Sequence, residues 1–300
     1  MKYQGIYFMK KTLIALVVAA SAVVSGSSVA ALGGWTEDQP GNAIDIGGSI
    51  TVPTSDMKWL WAVGDGMNNY NNAVTELLNE RKELTIPINN DTPFLAAKMN
   101  KAVSLPILGI IPKVEFTSYD QSSAVMNFQD EKSATLTVKV KNTKDMEIGS
   151  LVIPLQFGAG ATNLDIFSEI NDTKALMGGL SLPSAPGGIF EGITKPGTTT
   201  KASLGLKWSG LTTNDVTNAM VDTIRELGLT SKLSNTSVDD TAWSNYADLS
   251  HGNYTSSTHI RYVVYGAGIP SGSSLTLTFS NSITEETEWR APVTVNVTYQ

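Results

Sequence analysis

Apolar residues in this chain recur mostly at every second position, the period of an extended strand whose alternate side chains share a face. The cleanest run is 134–141, where Ala134, Leu136, Val138 and Val140 alternate with Thr and Lys. Asn142 to Asp145 supply turn residues, and Leu151 to Phe157 return as a more continuously apolar strand, so an antiparallel hairpin is expected. The same alternation marks Met57, Trp59, Trp61 and Val63, then Leu84, Ile86 and Ile88 up to the turn residues Asn89-Asn90-Asp91. Val114 and Phe116 give a shorter strand, and Ile260, Tyr262 and Val264, then Leu275, Leu277 and Phe279, give two more. Helical spacing is rarer. It is expected at 68–80 through Val74, Leu77 and Leu78, and again after a cap at Thr213 or Asn214. There Val216, Ala219, Met220, Thr223, Ile224 and Leu227 would share a face, with Gly228 just past the end.

Two further alternating runs lie near the ends of the chain. Ile44, Ile46, Ile50 and Val52 fall in one register with Gly48 between them, and Val293, Val295, Val297 and Tyr299 fall in another. A chain end has little reason to carry an apolar ridge unless something ties it down. The two runs are read either as strands pairing within one molecule or as a strand given away and a groove that receives one; periodicity alone does not choose. From Gly158 to about Asn253 the texture changes: Gly178-Gly179, Gly187-Gly188, Pro183, Pro186, Pro196 and a Thr run at 198–200 replace the alternation. This region is expected to be an insertion of loops, short strands and a helix, at about 158–253, in an all-β sandwich framework.

Composition agrees with a turn-rich β protein: 41% of the residues are hydrophobic, only 16% are charged, and Gly numbers 26 in 300. Lys10-Lys11, the apolar run Leu13 to Val24 and the small residues Ser28-Val29-Ala30 read as a secretory signal at 1–30. Its apolar part, about twelve residues, is too short to span a bilayer, and no later run reaches that length, so no membrane insertion is expected. Removing 1–30 takes Lys2, Lys10 and Lys11 and no acid, leaving 18 basic against 28 acidic residues and a net charge of −10. Such a balance lacks the positive footprint that nucleic acid needs. Cysteine is absent, which removes disulfides, thiolate nucleophiles and Cys-based metal clusters together.

Catalytic chemistry is hard to find. His251 and His259 are eight residues apart and lack the spacing of a zinc pair. There is no nucleophile elbow and no phosphate-binding glycine loop. The adjacent acids Asp239-Asp240 and Glu285-Glu286 would point to opposite faces of a strand and read as solvated. Neither a cofactor nor a metal is expected.

The residues at the two ends carry a resemblance. Ile44-Asp45-Ile46-Gly47-Gly48-Ser49-Ile50-Thr51, then Lys58-Trp59-x-Trp61-x-Val63-Gly64, resemble the start of the FaeG/ClpG-type major fimbrial subunits of the enteric chaperone–usher pathway. The leader Met9-Lys10-Lys11-Thr12-Leu13-Ile14-Ala15-Leu16 and the tail Trp289-x-Ala291-Pro292-Val293-x-Val295-x-Val297-Thr298-Tyr299 match as well. Phe190-Glu191-Gly192 and Asp248-Leu249-Ser250-His251-x-Asn253-Tyr254-Thr255-Ser256 are most similar to the haemagglutinating members. The resemblance implies an immunoglobulin-like sandwich lacking its last strand, completed by the N-terminal extension of the next subunit after a periplasmic chaperone has held the place. It makes 31–53 a donor-strand extension and 54–300 the sandwich domain. Ile44, Ile46, Gly48, Ile50 and Val52 become donor positions, and Val293, Val295, Val297 and Tyr299 the edge strand that chaperone and neighbour share. Glycine in the donor register suits a shallow pocket that admits no larger side chain. The disulfide and the near-terminal glycine of many other pilins are missing; Thr287 stands where that glycine would be.

The resemblance further implies the periplasmic chaperone, the outer-membrane usher and neighbouring copies as partners, a surface fimbria as destination, and host glycans held by the inserted region. Sugar recognition needs aromatic faces beside amide and carboxylate groups. Trp208, Trp243, Tyr246, Asp248, His251, Asn253 and Tyr254 offer that mix, with Trp243 foremost. Two alternatives stand beside this reading: a secreted β-sandwich enzyme acting on glycans, which would fold unaided around a paired acid site, and a minor subunit of the same type of fimbria.

Overall fold

The structure is a computed structural model, and it describes residues 59–67, 69–103, 112–165, 180–181, 190–198, 200–229 and 259–299. In chain order the strands are β1 (Trp59–Val63), β2 (Glu83–Pro87), β3 (Thr92–Met99), β4 (Pro112–Thr117), β5 (Val125–Phe128), β6 (Ser133–Lys141), β7 (Glu147–Asp165) and β8 (Leu180–Ser181). Helices α1 (Ala202–Ser209) and α2 (Thr213–Glu226) follow, then β9 (His259–Ile269), β10 (Ser274–Phe279) and β11 (Thr294–Tyr299). All these residues fall in the unit Thr54–Gln300. The leader and the 44–52 run lie outside the described residues.

The alternation at 134–140 does what its period requires. Ala134, Leu136, Val138 and Val140 are all buried, and β6 pairs antiparallel with β7 in a register that places Ala134 opposite Leu155 and Val138 opposite Leu151. Asn142 closes the turn by accepting bonds from the amides of Lys144 and Met146 at 2.9 and 3.1 Å. Such self-bonding is why Asn marks turns.

β7 does not end at Phe157. It runs through Gly158-Ala159-Gly160-Ala161 to Asp165 and carries two sets of partners. Its first half pairs with β6 and β10, its second half with β9 and β8. One strand set is therefore β2–β10–β7–β6–β5 and the other β1–β3–β9–β7–β8, with β4–β11 a separate two-stranded sheet. All the strand pairs are antiparallel, and together they form an all-β sandwich around one continuous hydrophobic core.

The small residues that resemble loop sequence at Gly158 are places where a helix comes close. Helix α1 lies across β7 and β9. A Cβ on Gly158 would meet the Lys201 carbonyl and, at 2.6 Å, Leu204 Cβ; one on Gly266 would stand 2.7 Å from Trp208 Cβ. Gly in a strand often marks such an approach. This helix gave no sequence signal that stood out from its glycine- and threonine-rich surroundings.

Helix α2 is where its spacing places it, burying Val216, Met220, Thr223 and Ile224, with Gly228 at φ 71° beyond its end. Its cap is Thr212, one residue before the earliest expected. The Thr212 hydroxyl accepts from the Asp215 amide at 3.2 Å, while the Asp215 carboxylate accepts from the Thr212 amide at 2.7 Å. Thr223 ties the helix to the strands by donating to the Ala102 carbonyl at 3.1 Å.

The helix expected at 68–80 is absent: only Val74–Glu76 forms a single 3-10 turn. Short helices need an apolar face with something to pack on, and here Val74 and Leu78 are 45% and 56% exposed. Asn79, Glu80 and Arg81 instead adopt left-handed backbone (φ 49°, 58° and 62°), turning the chain so that Leu78 bridges to Glu83 at the start of β2.

Candidate strand-accepting edge

The C-terminal ridge forms a two-stranded sheet with β4. β11 pairs with β4 so that Val295 faces Phe116, Val297 faces Val114 and Tyr299 faces Pro112. Val114, Phe116 and Pro112 are buried, yet Val293, Val295 and Val297 are only half-buried and Tyr299 is 48% exposed. Among the described residues β4 is the ladder partner of β11, which leaves its other edge without one. Cross-strand neighbours on one face normally share their burial. Among the described residues the ridge of β11 has a strand on one flank only, and its side chains are partly buried against the core.

β1 has the same character. Trp59, Trp61 and Val63 stand opposite Met99, Ala97 and Leu95 of β3, all three of which are buried. Along β1 the cover falls away, from buried Trp59 through half-buried Trp61 to Val63 at 70% exposure. β1 also terminates its strand set, with β3 as its neighbour. Trp61 Nε1 of one edge donates to the Tyr299 hydroxyl of the other at 3.1 Å.

Behind that bond is an aromatic stack built on Phe190. Its ring lies edge-on to Trp59 at 5.2 Å and to Trp61 at 6.3 Å, and 4.8 Å from Tyr265. Phe190 is fully buried and holds φ at 60°, a region that costs a bulky residue energy unless the surroundings impose it. They do so here. The Phe190 amide donates to the Pro112 carbonyl (3.0 Å), the Val114 amide donates to the Glu191 carbonyl (2.8 Å), and the Thr194 hydroxyl donates to the Phe190 carbonyl (3.1 Å). Gly192, at φ 94°, runs so close to the Val114 carbonyl that a Cβ would collide with it. The 190–192 segment thus occupies the flank of β4 that β11 does not. Tyr265 anchors the stack from below, donating to the Ile193 carbonyl at 3.3 Å, and burial pushes its phenol pKa up.

Neither β1 (Trp-Leu-Trp-Ala-Val) nor β11 (Thr-Val-Asn-Val-Thr-Tyr) carries a charge. A ligand at this edge would be held by main-chain hydrogen bonds and apolar contact, the chemistry of strand addition.

Residues 9–300 match the family described as "Fimbrial, major and minor subunit". The chain belongs to this fimbrial subunit family. It is 39% identical to the F41 fimbrial protein of Escherichia coli over 298 residues, covering 97% of this chain and all of that protein. It is also 30% identical to the K88 fimbrial protein AB of Escherichia coli, again over 97% of this chain and all of that protein. Membership makes it a structural component of fimbriae, assembled with copies of itself at a surface fimbrium. No helix among the described residues is long and apolar enough to cross a membrane.

Among the residues singled out in the sequence of this fimbrial subunit, Val293, Val295, Val297 and Tyr299 are brought together on one open edge. The donor positions Ile44, Ile46, Gly48, Ile50 and Val52 lie outside the described residues, as do Trp243, Tyr246, Asp248, His251, Asn253 and Tyr254. Trp208, grouped with the sugar-binding candidates, is instead a core residue at 2% exposure. Its ring sits on Gly268 of β9 so closely that a Cβ there would overlap Cε3 and Cζ3. A buried face offers nothing to a sugar. Lys207, beside it, reaches over the ring at 4.3 Å and pairs with Asp91 at 2.8 Å, closing this corner.

Trp61 and Phe190 are the site residues that alternation did not distinguish. Trp61 reads as one more inward position of a strand, and Phe190 as part of a loop motif; their joint position behind the open edge depends on chain segments far apart in sequence.

Proposed function

We propose that this protein is the major structural subunit of a surface fimbria and that it polymerises by strand donation. Residues 44–52 of one copy enter the groove between β1 and β11 of the next. The observation that supports this reading is the half-buried ridge of β11 and the cover that falls away along β1, opposite partners that are buried. The entering ridge of Ile44, Ile46, Ile50 and Val52 has the period to fill it, and the subunit's own unit begins at Thr54, just after that ridge. Until it is filled, an open edge beside an apolar groove is an aggregation hazard. A periplasmic chaperone that lends a strand to β11, and an outer-membrane usher that passes the subunit on, suit that need. The export signal at 1–30, the extension at 31–53 and the domain at 54–300 follow the same division of labour.

The region between β7 and β9 then serves as the adhesive surface, holding host glycans through Trp243, Tyr246, Asp248, His251, Asn253 and Tyr254. The role is structural and adhesive, without catalysis.

The test is thermal unfolding of residues 54–300 with and without a peptide of residues 42–53. At a hundredfold excess over Kd the peptide should stabilise by about 2.7 kcal/mol, or roughly 5–10 °C for a domain of this size. The same peptide with Ile46→Asp and Ile50→Asp should do nothing. A domain that is stable, monomeric and indifferent to the peptide would refute strand donation and reopen the search for an enzyme site. For the adhesive part, Trp243→Ala should abolish binding to a glycan array while fimbriae still form; unchanged binding would remove that residue from the site.

A further inference from the structure

We propose that the sandwich carries a binding trough for a short, uncharged glycan on the outer face of its sheet, where β7 begins and β10 ends. The site lies outside the region between β7 and β9, and it depends neither on strand donation nor on the sugar-binding candidates of that region.

The trough follows from side-chain size. Lys139, Ser150 and Thr278 stand in one cross-strand row, with Ser150 paired to both of the others. Residues in such a row share a face of the sheet. Leu275, Leu277 and Phe279 of β10 point into the core, so Thr278 and its row point outward. Ser150 and Thr278 are short, whereas Lys139 is long and reaches Asp120 at 2.7 Å and Glu147 at 3.2 Å. The step in height leaves a cavity of about 210 Å³ bounded by Lys139, Glu147, Ser150, Thr278 and Ser280. A second cavity of about 220 Å³ shares Glu147 with it and is walled by Asn142 and by residues 281–285 after β10. The Ser280 amide donates to the Ile148 carbonyl at 2.9 Å, tying a residue of the first cavity to a residue of the second.

The lining selects the class of ligand. The side chains of Ser150, Thr278, Ser280, Asn281, Ser282 and Thr284 make no hydrogen bond among the described residues. Asn142 spends its side-chain oxygen on the Lys144 and Met146 amides and keeps its NH₂ donors. An apolar ligand would bury these groups without replacing their bonds to water, which costs free energy. Charge excludes anions. Lys139 is the cation of the trough and is already paired with Asp120 and Glu147, while Glu285 has no ion pair among the described residues. The surplus is negative, so phosphate, sulfate and sugar acids are repelled. Ring hydroxyls both donate and accept, and two adjacent ones match the two acceptor oxygens of a carboxylate such as Glu147. Half-buried Ile148 and Ile283 add apolar surface for the C–H face of a ring. Each cavity is smaller than the roughly 300–1,000 Å³ of a drug-sized site, the scale of one sugar ring, and the shared Glu147 suits two linked rings. A shallow polar site binds weakly alone, but a fimbria repeats it in every copy, and linked sites gain avidity without new contacts.

The experiment uses assembled fimbriae of the full mature chain and saturation-transfer NMR. The probes are the methyl glycosides of glucose, galactose, mannose and N-acetylglucosamine, with sialic acid as the anionic control and an oligolysine peptide as the cationic one. At about 10 mM, ten times a millimolar Kd, at least one neutral sugar should receive saturation and neither control should. Ser282→Trp, at an exposed position, should fill the second cavity, and Glu147→Gln should remove the charged acceptor while keeping its shape. Each should weaken the response by about tenfold or more, the effect of 1.4 kcal/mol of binding energy. Trp243→Ala should leave it unchanged, which separates this trough from the region between β7 and β9. The inference is overturned if no neutral sugar responds, if only a charged control does, if the response survives both trough variants, or if Trp243→Ala abolishes it.

Discussion

Replacing Gly268 with alanine adds a single methyl group to β9, at the place where the structure has least room for one. That methyl would overlap Cε3 and Cζ3 of Trp208, and the indole has no easy escape, because Gly266 packs so tightly under the same helix that its own Cβ would stand 2.7 Å from Trp208 Cβ. Overfilling a packed core typically costs about 1–3 kcal/mol. A flat, rigid ring that cannot rotate aside puts Gly268→Ala at the upper end. For a domain of this size each kcal/mol moves Tm by about 2–4 °C, so a fall of roughly 6–12 °C is expected. Trp208→Ala alone should cost about 3–5 kcal/mol as a large buried side chain removed. The decisive measurement is the double variant in a thermal or urea unfolding cycle. Once the ring is gone the added methyl sits in vacated space, so Gly268→Ala should become nearly neutral and the interaction energy should reach about 1–3 kcal/mol. Strict additivity would mean that the ring does not rest on Gly268, and Trp208 would return to the residues available at the surface for sugar.

Two further outcomes follow from other parts of the fold. Asp120 accepts bonds from Lys139 Nζ at 2.7 Å and from the Ser122 hydroxyl and amide, and the Lys139 bond foremost holds its carboxyl well below the usual carboxylate range. A folded-state pKa below the unfolded one contributes stability above the unfolded pKa and loses it as pH falls through the folded value. Asp120→Asn should therefore flatten the acid limb of a Tm-against-pH curve, and an acid limb of unchanged slope would show that the contact carries no linkage. Gly192→Ala forces a Cβ into the Val114 carbonyl at φ 94°; it should unseat Phe190, cost about 3 kcal/mol or more as strain and overpacking combine, and abolish detergent-resistant multimers on unheated gels, whereas a normally folded, assembling Gly192→Ala chain would disprove the fixed aromatic backing of Trp61.

The sequence by itself determined the strands whose faces differ. Where one face is buried and the other wet, as in 134–140 and 275–279, period 2 is written directly into residue type, and the structure follows it position by position. It also carried α2, whose apolar stripe needs only one side to pack on. Family membership was legible in the end motifs for the same reason: the alternation of Ile44 to Val52 and of Val293 to Tyr299 is written in residue type. Tertiary structure decided the rest. The second half of β7 is covered by α1, so its inward positions must be small, and small residues look like loop. Residues 68–80 have helical spacing but no surface to receive the stripe, so they turn instead. Trp208 has the composition of a sugar platform and the location of a core residue, because the glycines that make room for it come from β9, about sixty residues later in the chain. The open edge itself is a relation among β1, β4, β11 and the 190–192 segment. No local pattern states that a ridge will be only half covered; only the packing of distant segments brings Trp61 and Tyr299 into hydrogen-bond contact.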